Sequence, residues 1–337
     1  MRAAVVGTEP QEPPVRVRDV PTPHATGDWV VVRLERASLN RLDAMMLEHR
    51  TSNAPGAIFG SDGAGVVHEL GPDVPTASGW AVGDHVIISP SLHWGPDERF
   101  PSPEYEILGS PTHGTHAEYV AVPAANLHAK PEHLTWAEAA SLPMAGLTAW
   151  RALVTRGRLV EGETVLVGAA SSGVGTAAIQ IAAAAGARVV AVTGSGAKAA
   201  EALHLGAAAT VDRTAANVSD LLRAATGGHA DLALDPTGRL WGPFVENLRP
   251  AGRLVVVGKM AAAAATLDVQ SVYWKQVDVL GSSMGSPRDF AALLAQVTAR
   301  RWAPRVDSVF PLNEIAAAYT RLDAADRVGK VVLDVRA

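Results

Sequence analysis

Residues 1–125 carry their apolar positions in short runs cut by glycine and proline. Val30-Val31-Val32-Arg33-Leu34-Glu35 keeps part of a period of two, residues 82–88 read as a turn entering a strand, and residues 115–122 read as a strand after a glycine turn. The pattern predicts an all-β module with few helices. Residues 89–108, rich in proline and polar side chains, read as a surface lobe. At Thr135 the period changes: Thr135-Trp136-Ala137-Glu138 fits a capping box that opens helical periodicity through Trp150, with a break at Pro143. Apolar runs at 165–167, 189–192, 210–211, 231–235, 254–258 and 277–281 then alternate with helical stretches, which predicts a parallel α/β sheet. The tail, residues 327–335, reads as a strand that returns to the β module.

The stretch 163–198 organises the second half as strand, small-residue turn, helix and strand. Bare turn residues let a phosphate approach the backbone, where free N–H groups and the positive end of the helix dipole bind it. Ala170-Ser171-Ser172-Gly173-Val174-Gly175 stands in the place of G-x-G-x-x-G, with its first two glycines replaced. A P-loop would need Lys-Ser/Thr after its last glycine, and Val174-Gly175-Thr176 follows Gly173 here. A short-chain dehydrogenase would need a Tyr four residues before a Lys, and none of Tyr105, Tyr119, Tyr273 and Tyr319 has one. A dinucleotide site remains, with Ser171, Ser172, Gly173 and Val174 at the pyrophosphate.

The end of the second strand bears on which dinucleotide. An NAD-specific site ends that strand in Asp or Glu, which accepts from the ribose hydroxyls and repels a phosphate. Thr193-Gly194 occupies the place, and no acidic residue falls between Gly175 and Glu201. Ser195 can donate to a 2′-phosphate and Lys198 can neutralise it, with Arg213 the weaker candidate, so NADPH is expected. Gly258, Lys259 and Met260, at the end of the run 254–258, are counted with the cofactor contacts.

Composition narrows the rest. The 337 residues suffice for two cores, there is no cysteine, and the formal net charge is −5 with acids and bases interspersed. Disulfides and thiolate metal sites are excluded, and a cytoplasmic location is expected. Neither a signal peptide nor a bilayer-spanning apolar stretch is present, and neither nucleic acid nor membrane is expected as a partner. The apolar run at 277–281 would be an exposed sheet edge unless two copies pair there, so a homodimer is expected.

Several stretches together resemble the landmarks of the medium-chain dehydrogenase/reductase superfamily over nearly the whole chain. They are Ala37-Ser-Leu-Asn-Arg-Leu-Asp43, Gly60-Ser-Asp-Gly-Ala-Gly-Val-Val67, Gly83-Asp84, His113-Gly-Thr-His-Ala-Glu-Tyr119, Ala145-Gly-Leu-Thr-Ala149 and Gly329-Lys-Val-Val-Leu333. The resemblance implies a GroES-like β domain (residues 1–127 and 288–337), a Rossmann domain (residues 128–287) and an active site in the cleft between them. Zinc-dependent members hold their catalytic metal at positions that match Asn40, Ser61-Asp62 and Met144, of which only Asp62 is a plausible ligand. The region matching their structural zinc lobe, 89–108, has no cysteine. The chain therefore resembles the zinc-free branch, with its quinone oxidoreductases and enoyl or enone reductases. The pair His113 and His116 reads as structural, and Asp43 as closing a turn.

The resemblance puts Asn40 beside the nicotinamide, where it either orients substrate or satisfies backbone groups, and Thr148 where it helps seat the cofactor. Hydride transfer from NADPH to a quinone or an α,β-unsaturated carbonyl is expected, with His49, Tyr105 or water as proton donor. Three alternatives remain. They are a non-catalytic NADPH-binding protein, a carbonyl or alcohol dehydrogenase of the same superfamily, and an enoyl-reductase module of a synthase. The chain is read as free-standing rather than as such a module.

Overall fold

The computed structural model describes residues 1–7, 13–48, 56–194, 196–260 and 264–337. The chain forms two compact units, Met1–Met144 with Ser286–Ala337, and Ala145–Gly285. The first joint of these units lies after Met144, whereas the boundary implied by the resemblance lies after residue 127. The reason is that the helix Trp136–Ser141, closed by the Thr135/Glu138 capping box, packs on strands Trp29–Ser38 and Asp62–Leu70 of the first unit.

The first unit is built on a seven-stranded sheet. In spatial order it runs Val306–Pro311, Lys330–Asp334, Trp29–Ser38, Asp62–Leu70, His85–Ile88 and Leu127–Ala129, with Tyr119–Pro123 also pairing on Trp29–Ser38. Val30, Val32, Leu34, Val120, Val331 and Leu333 are among the side chains that fill its core. The tail strand does return to the β module, antiparallel to Trp29–Ser38. Two departures from the sequence pattern have local causes. Residues 115–118 precede rather than belong to the strand Tyr119–Pro123, because Thr115 and His116 give their N–H groups to the carbonyls of Gly60 and Phe59. The lobe 89–108 contains a two-residue strand pair, Ser91–Leu92 with Glu106–Ile107, braced by the edge contact of Trp94 and Tyr105.

Register in this sheet decides which side chains meet. Ser38 lies opposite Asp62 on one side and opposite Val332 on the other, and Leu39 N–H continues the pairing to the Val331 carbonyl at 2.9 Å. Asn40, Asp62 and Lys330, far apart in sequence, thereby converge at one end of three adjacent strands.

The second unit carries a six-stranded parallel sheet. Its order is Ala209–Asp212, Arg188–Thr193, Thr164–Val167, Ala230–Asp235, Leu248–Val256 and Asp278–Gly281: third, second, first, fourth, fifth and sixth in chain order. The central strands are apolar and buried almost throughout, as a sheet covered on both faces requires. The strand order reverses on either side of Thr164–Val167, and in open sheets of this kind ligands bind at such a reversal, beyond the carboxyl ends of the strands.

Candidate functional site

The turn after Thr164–Val167 leads into the helix Gly173–Ala184. Ser172 is the N-cap: its Oγ accepts from Gly175 N–H at 3.0 Å, so its hydroxyl is occupied in starting the helix. Ser171, Gly173 and Val174 stay partly exposed around that terminus. Gly175 is required by packing, since a Cβ there would sit 2.3 Å from the Ala169 carbonyl oxygen. The helix start can thus lie tightly on the turn with N–H groups left for an anion.

Other predicted cofactor residues gather at the same ends of neighbouring strands. Thr193 closes its strand with a buried Oγ1 that has no partner. Arg213 N–H donates to the Thr193 carbonyl at 2.7 Å, and a Cβ on Gly194 would be 3.0 Å from Arg213 Nε. The guanidinium therefore lies against Gly194. Lys198 stands on the following helix, Gly196–His204, partly exposed. Adjacent parallel strands bring residue 213 beside residue 193, a proximity that sequence distance hides. Gly258 follows Leu248–Val256 and runs close to the Pro236 carbonyl oxygen, with Lys259 and the exposed Met260 beyond it. Thr148 is buried, and its hydroxyl is 4.0 Å from Met284 Sδ. Ser195 lies outside the described residues, as do His49, Arg50 and Thr51. These residues present what a dinucleotide needs: a close-packed turn, a helix start, an unpartnered hydroxyl and a guanidinium.

The first unit contains a buried polar cluster. Asn40, between Trp29–Ser38 and the helix Arg41–Glu48, is 8% exposed, Asp62 0% and Lys330 4%. Lys330 Nζ donates to Asp62 Oδ2 at 2.9 Å, to the Leu39 carbonyl at 2.8 Å and to Asn40 Oδ1. Asp62 Oδ2 also accepts from Asn40 Nδ2 at 2.9 Å and Ser38 Oγ at 3.1 Å, while Oδ1 accepts from Met144 N–H at 2.7 Å. Three donors thus converge on Oδ2 and one on Oδ1.

Asp43 closes the turn, as expected: its Oδ2 accepts from Asn40 N–H at 2.7 Å, and its own N–H returns to the Asn40 carbonyl at 3.1 Å. Burial pushes its carboxyl up to about 7, with the Asp62 charge adding to the rise and the Asn40 N–H and Lys330 opposing it. His116 is equally buried, with no partner at Nε2, and burial lowers its imidazole to about 4. The Tyr319 ring meets the His116 ring edge-on at 6.2 Å; its hydroxyl has no partner and is raised well above the ordinary tyrosine value, by burial first and the Asp43 charge second. His113 Nδ1 accepts weakly from Ile58 N–H at 3.4 Å. The sequence singled out Asn40 and Asp62 but passed over Lys330 as a functional group. The available signal was a lysine opening an otherwise apolar strand, 330–333.

A catalytic zinc does not fit this cluster. Amide, hydroxyl, thioether and a single carboxylate are a poor donor set, and the oxygens of Asn40 and Asp62 already accept from an ammonium. A dication about 4 Å from that ammonium would be repelled by on the order of 8 kcal/mol at an effective dielectric of about 20. Among the described residues, no group of three or more His, Asp or Glu side chains is arranged to hold a metal.

A parallel sheet ordered in this way, with a phosphate-binding turn after its first strand and an accompanying β unit, defines a dinucleotide-dependent dehydrogenase of two domains. Residues 26–132 match the alcohol dehydrogenase GroES-like domain, and residues 173–299 match the family described as zinc-binding dehydrogenase. A solved NAD-dependent alcohol dehydrogenase is 38% identical, with a TM-score of 0.92, covering 99% of this chain and 100% of that one. The zinc-type alcohol dehydrogenase-like protein YogA of Leptosphaeria maculans is 29% identical over 96% of this chain and 95% of its own. The 2-octenoyl-CoA carboxylase reductase CinF, solved with NADP and 2-octenoyl-CoA, is 28% identical, with a TM-score of 0.84, over 96% of this chain and 83% of that one. The chain belongs to the medium-chain dehydrogenase/reductase superfamily and is an oxidoreductase with a GroES-like and a Rossmann-like domain. Among the described residues, no helix is long and apolar enough to cross a membrane.

Asp43 and His116 give opposite pH dependences to stability. The raised Asp43 contributes stability that is present below about pH 4 and lost as pH rises through about 7; the lowered His116 contributes stability that is present above about 6.5 and lost as pH falls toward about 4. Asp43→Asn keeps the acceptor for Asn40 N–H and removes only the first dependence. Urea unfolding at pH 5 and pH 8 should show the variant gaining stability over wild type at the higher pH. An unchanged difference at the two pH values would show that Asp43 does not titrate in this range.

Proposed function

We propose that the protein is a zinc-independent, NADPH-dependent oxidoreductase that reduces a conjugated acceptor, either a quinone or an α,β-unsaturated carbonyl compound. The observation that carries this reading is the Asn40–Asp62–Lys330 cluster, which includes two of the positions that the family resemblance matches to zinc ligands and has a donor set unsuited to the metal. When bound, the reduced nicotinamide supplies a hydride. Reducing a simple ketone concentrates charge on one oxygen, which calls for a Lewis acid. A conjugated acceptor spreads that charge over an enolate or a ring, so neutral donors such as the Asn40 amide suffice. The named ligand of CinF, 2-octenoyl-CoA, is itself an α,β-unsaturated carbonyl compound, and this similarity supports the acceptor class.

Gly173 and its neighbours at the helix start hold the pyrophosphate, and Thr148 seats the nicotinamide end. Thr193 leaves the ribose site without a repelling carboxylate, and Arg213, lying against Gly194, pairs with a 2′-phosphate, aided by Lys198. NADPH should accordingly be used in preference to NADH, although the relative at 38% identity is named for NAD. Losing one charge-assisted bond is worth about 1.5–3 kcal/mol. Arg213→Ala should therefore raise the KM for NADPH by about 10-fold or more and leave that for NADH nearly unchanged. Equal use of both cofactors by wild type, untouched by Arg213→Ala and Lys198→Ala, would remove the assignment.

A homodimer joined along the edge strand Asp278–Gly281 fits the second unit. Val279 on that strand and Val269, Tyr273 and Trp274 on the helix Val269–Lys275 are exposed, Trp274 to 76%. An open apolar edge is an aggregation hazard that two-fold pairing covers. Light scattering at micromolar concentration should give twice the chain mass, and a monomer there would contradict the pairing.

The acceptor class is tested with purified protein, NADPH and a panel of quinones, enones, aldehydes and ketones. Quinones or enones should be consumed, with activity insensitive to a chelator and no stoichiometric zinc in metal analysis. Asn40→Ala should lower kcat by about 100-fold, the scale of one lost oxyanion donor, with little change in NADPH binding. Reduction of simple aldehydes or ketones alone, or activity restored by zinc, would overturn the reading.

A further inference from the structure

Asn40 can donate usefully only if its amide faces the right way, and an isolated amide has no electrostatic reason to choose. Here both ends are held by charged groups. Oδ1 accepts from the Lys330 ammonium, and Nδ2 donates to the Asp62 carboxylate at 2.9 Å. Turning the amide over would set NH2 against NH3⁺ and a carbonyl against a carboxylate, replacing two charge-assisted bonds by two repulsions. Of the two Nδ2 hydrogens, Asp62 uses one. The other has no partner among the described residues, and Asn40 retains the cluster's largest exposure among these three side chains.

We propose that Lys330 is a positioning residue for Asn40: its ammonium and the Asp62 carboxylate lock the amide in one orientation, so that the free Nδ2 hydrogen is presented to the acceptor oxygen. The catalytic half of this proposal rests on the role given to Asn40 above; the lock itself does not. The ammonium also has a second effect. A cation hydrogen-bonded to the amide oxygen draws electron density from the nitrogen, which makes the remaining N–H a stronger donor. Lys330 thus acts on the reacting oxygen through an amide, without touching it. Its own bonds to the Leu39 carbonyl and Asp62 keep Nζ in place during turnover.

The test has two arms. In the first, side-chain amide NMR of Asn40 is recorded on the protein without acceptor, in wild type and in Asp62→Asn/Lys330→Met, a pair chosen because it leaves no buried charge unpartnered. Wild type should show two well-separated Nδ2 proton signals with slowed exchange, and the double variant should show signals near free-amide values. Free-amide values in wild type would overturn the lock whatever the variants do. In the second arm, kcat and the KM for NADPH are measured for Lys330→Met, Asn40→Ala and their combination. Lys330→Met should lower kcat at least 10-fold with less than 2-fold change in the KM for NADPH. In the Asn40→Ala background it should lower kcat less than 2-fold further. Equal losses in both backgrounds would mean that Lys330 does not act through Asn40. Should Lys330→Met fail to fold, the same cycle is run with Asp62→Asn/Lys330→Met in its place. Failure of the acceptor panel with the NMR arm intact would sink the functional reading and leave the lock standing.

Discussion

Moving the Lys330 ammonium and the Asp62 carboxylate out of water costs several kcal/mol per ion, and their mutual attraction offsets this only when the remaining hydrogen-bonding capacity is filled. Here most of it is filled. Lys330 gives its three protons to Asp62, the Leu39 carbonyl and Asn40, and the Asp62 carboxylate takes four donors from three other segments. The pair thus ties the returning strand Lys330–Asp334, the end of Trp29–Ser38, the start of Asp62–Leu70 and Met144 to one point. A hydrophobic pair of similar volume could be as stable, so what the ions supply here is directional: each bond selects one register and one side-chain orientation.

Much of the architecture was legible in the sequence because it rests on local periodicity. The parallel sheet, its Gly/Ser turn, the capping box at Thr135 and the break at Pro143 all follow from residues within one or two turns of each other. Asn40 and Asp62 could be picked out because the family resemblance marks their positions. Their relation to Lys330 could not, since that contact joins residues 268 positions apart and depends on strand register. The nearness of Arg213 to the end of the second strand was hidden for the same reason. Nearness along the chain favoured Lys198, whereas pairing of neighbouring parallel strands lays Arg213 against Gly194. A helical period likewise cannot tell on which sheet a helix will rest, as with Trp136–Ser141 on the first unit.

The turn beside the cluster is held independently of the cluster itself. Asp43 holds the Asn40 turn through a backbone N–H, a task indifferent to what stands at position 61. Burial leaves the Asp43 carboxyl half-titrating near neutrality. His116 and Tyr319, buried with unpartnered polar atoms, belong to the same under-satisfied environment. A site of this kind contains several groups whose protonation responds to small changes around them.

The first unit is discontinuous: its residues lie before 145 and after 285, while Ala145–Gly285 is a single run of chain. During synthesis the Rossmann-like unit can therefore close as soon as its last strand has left the ribosome, whereas the β unit must wait for the strand Lys330–Asp334. Until then Asp62 has no cation, the Trp29–Ser38 edge that Lys330–Asp334 will cover is open, and a nascent chain truncated before residue 330 presents that edge to its neighbours. Loss of the strand Lys330–Asp334 would therefore reach a cell's quality-control machinery as an open, aggregation-prone sheet edge in one unit while the other unit is complete.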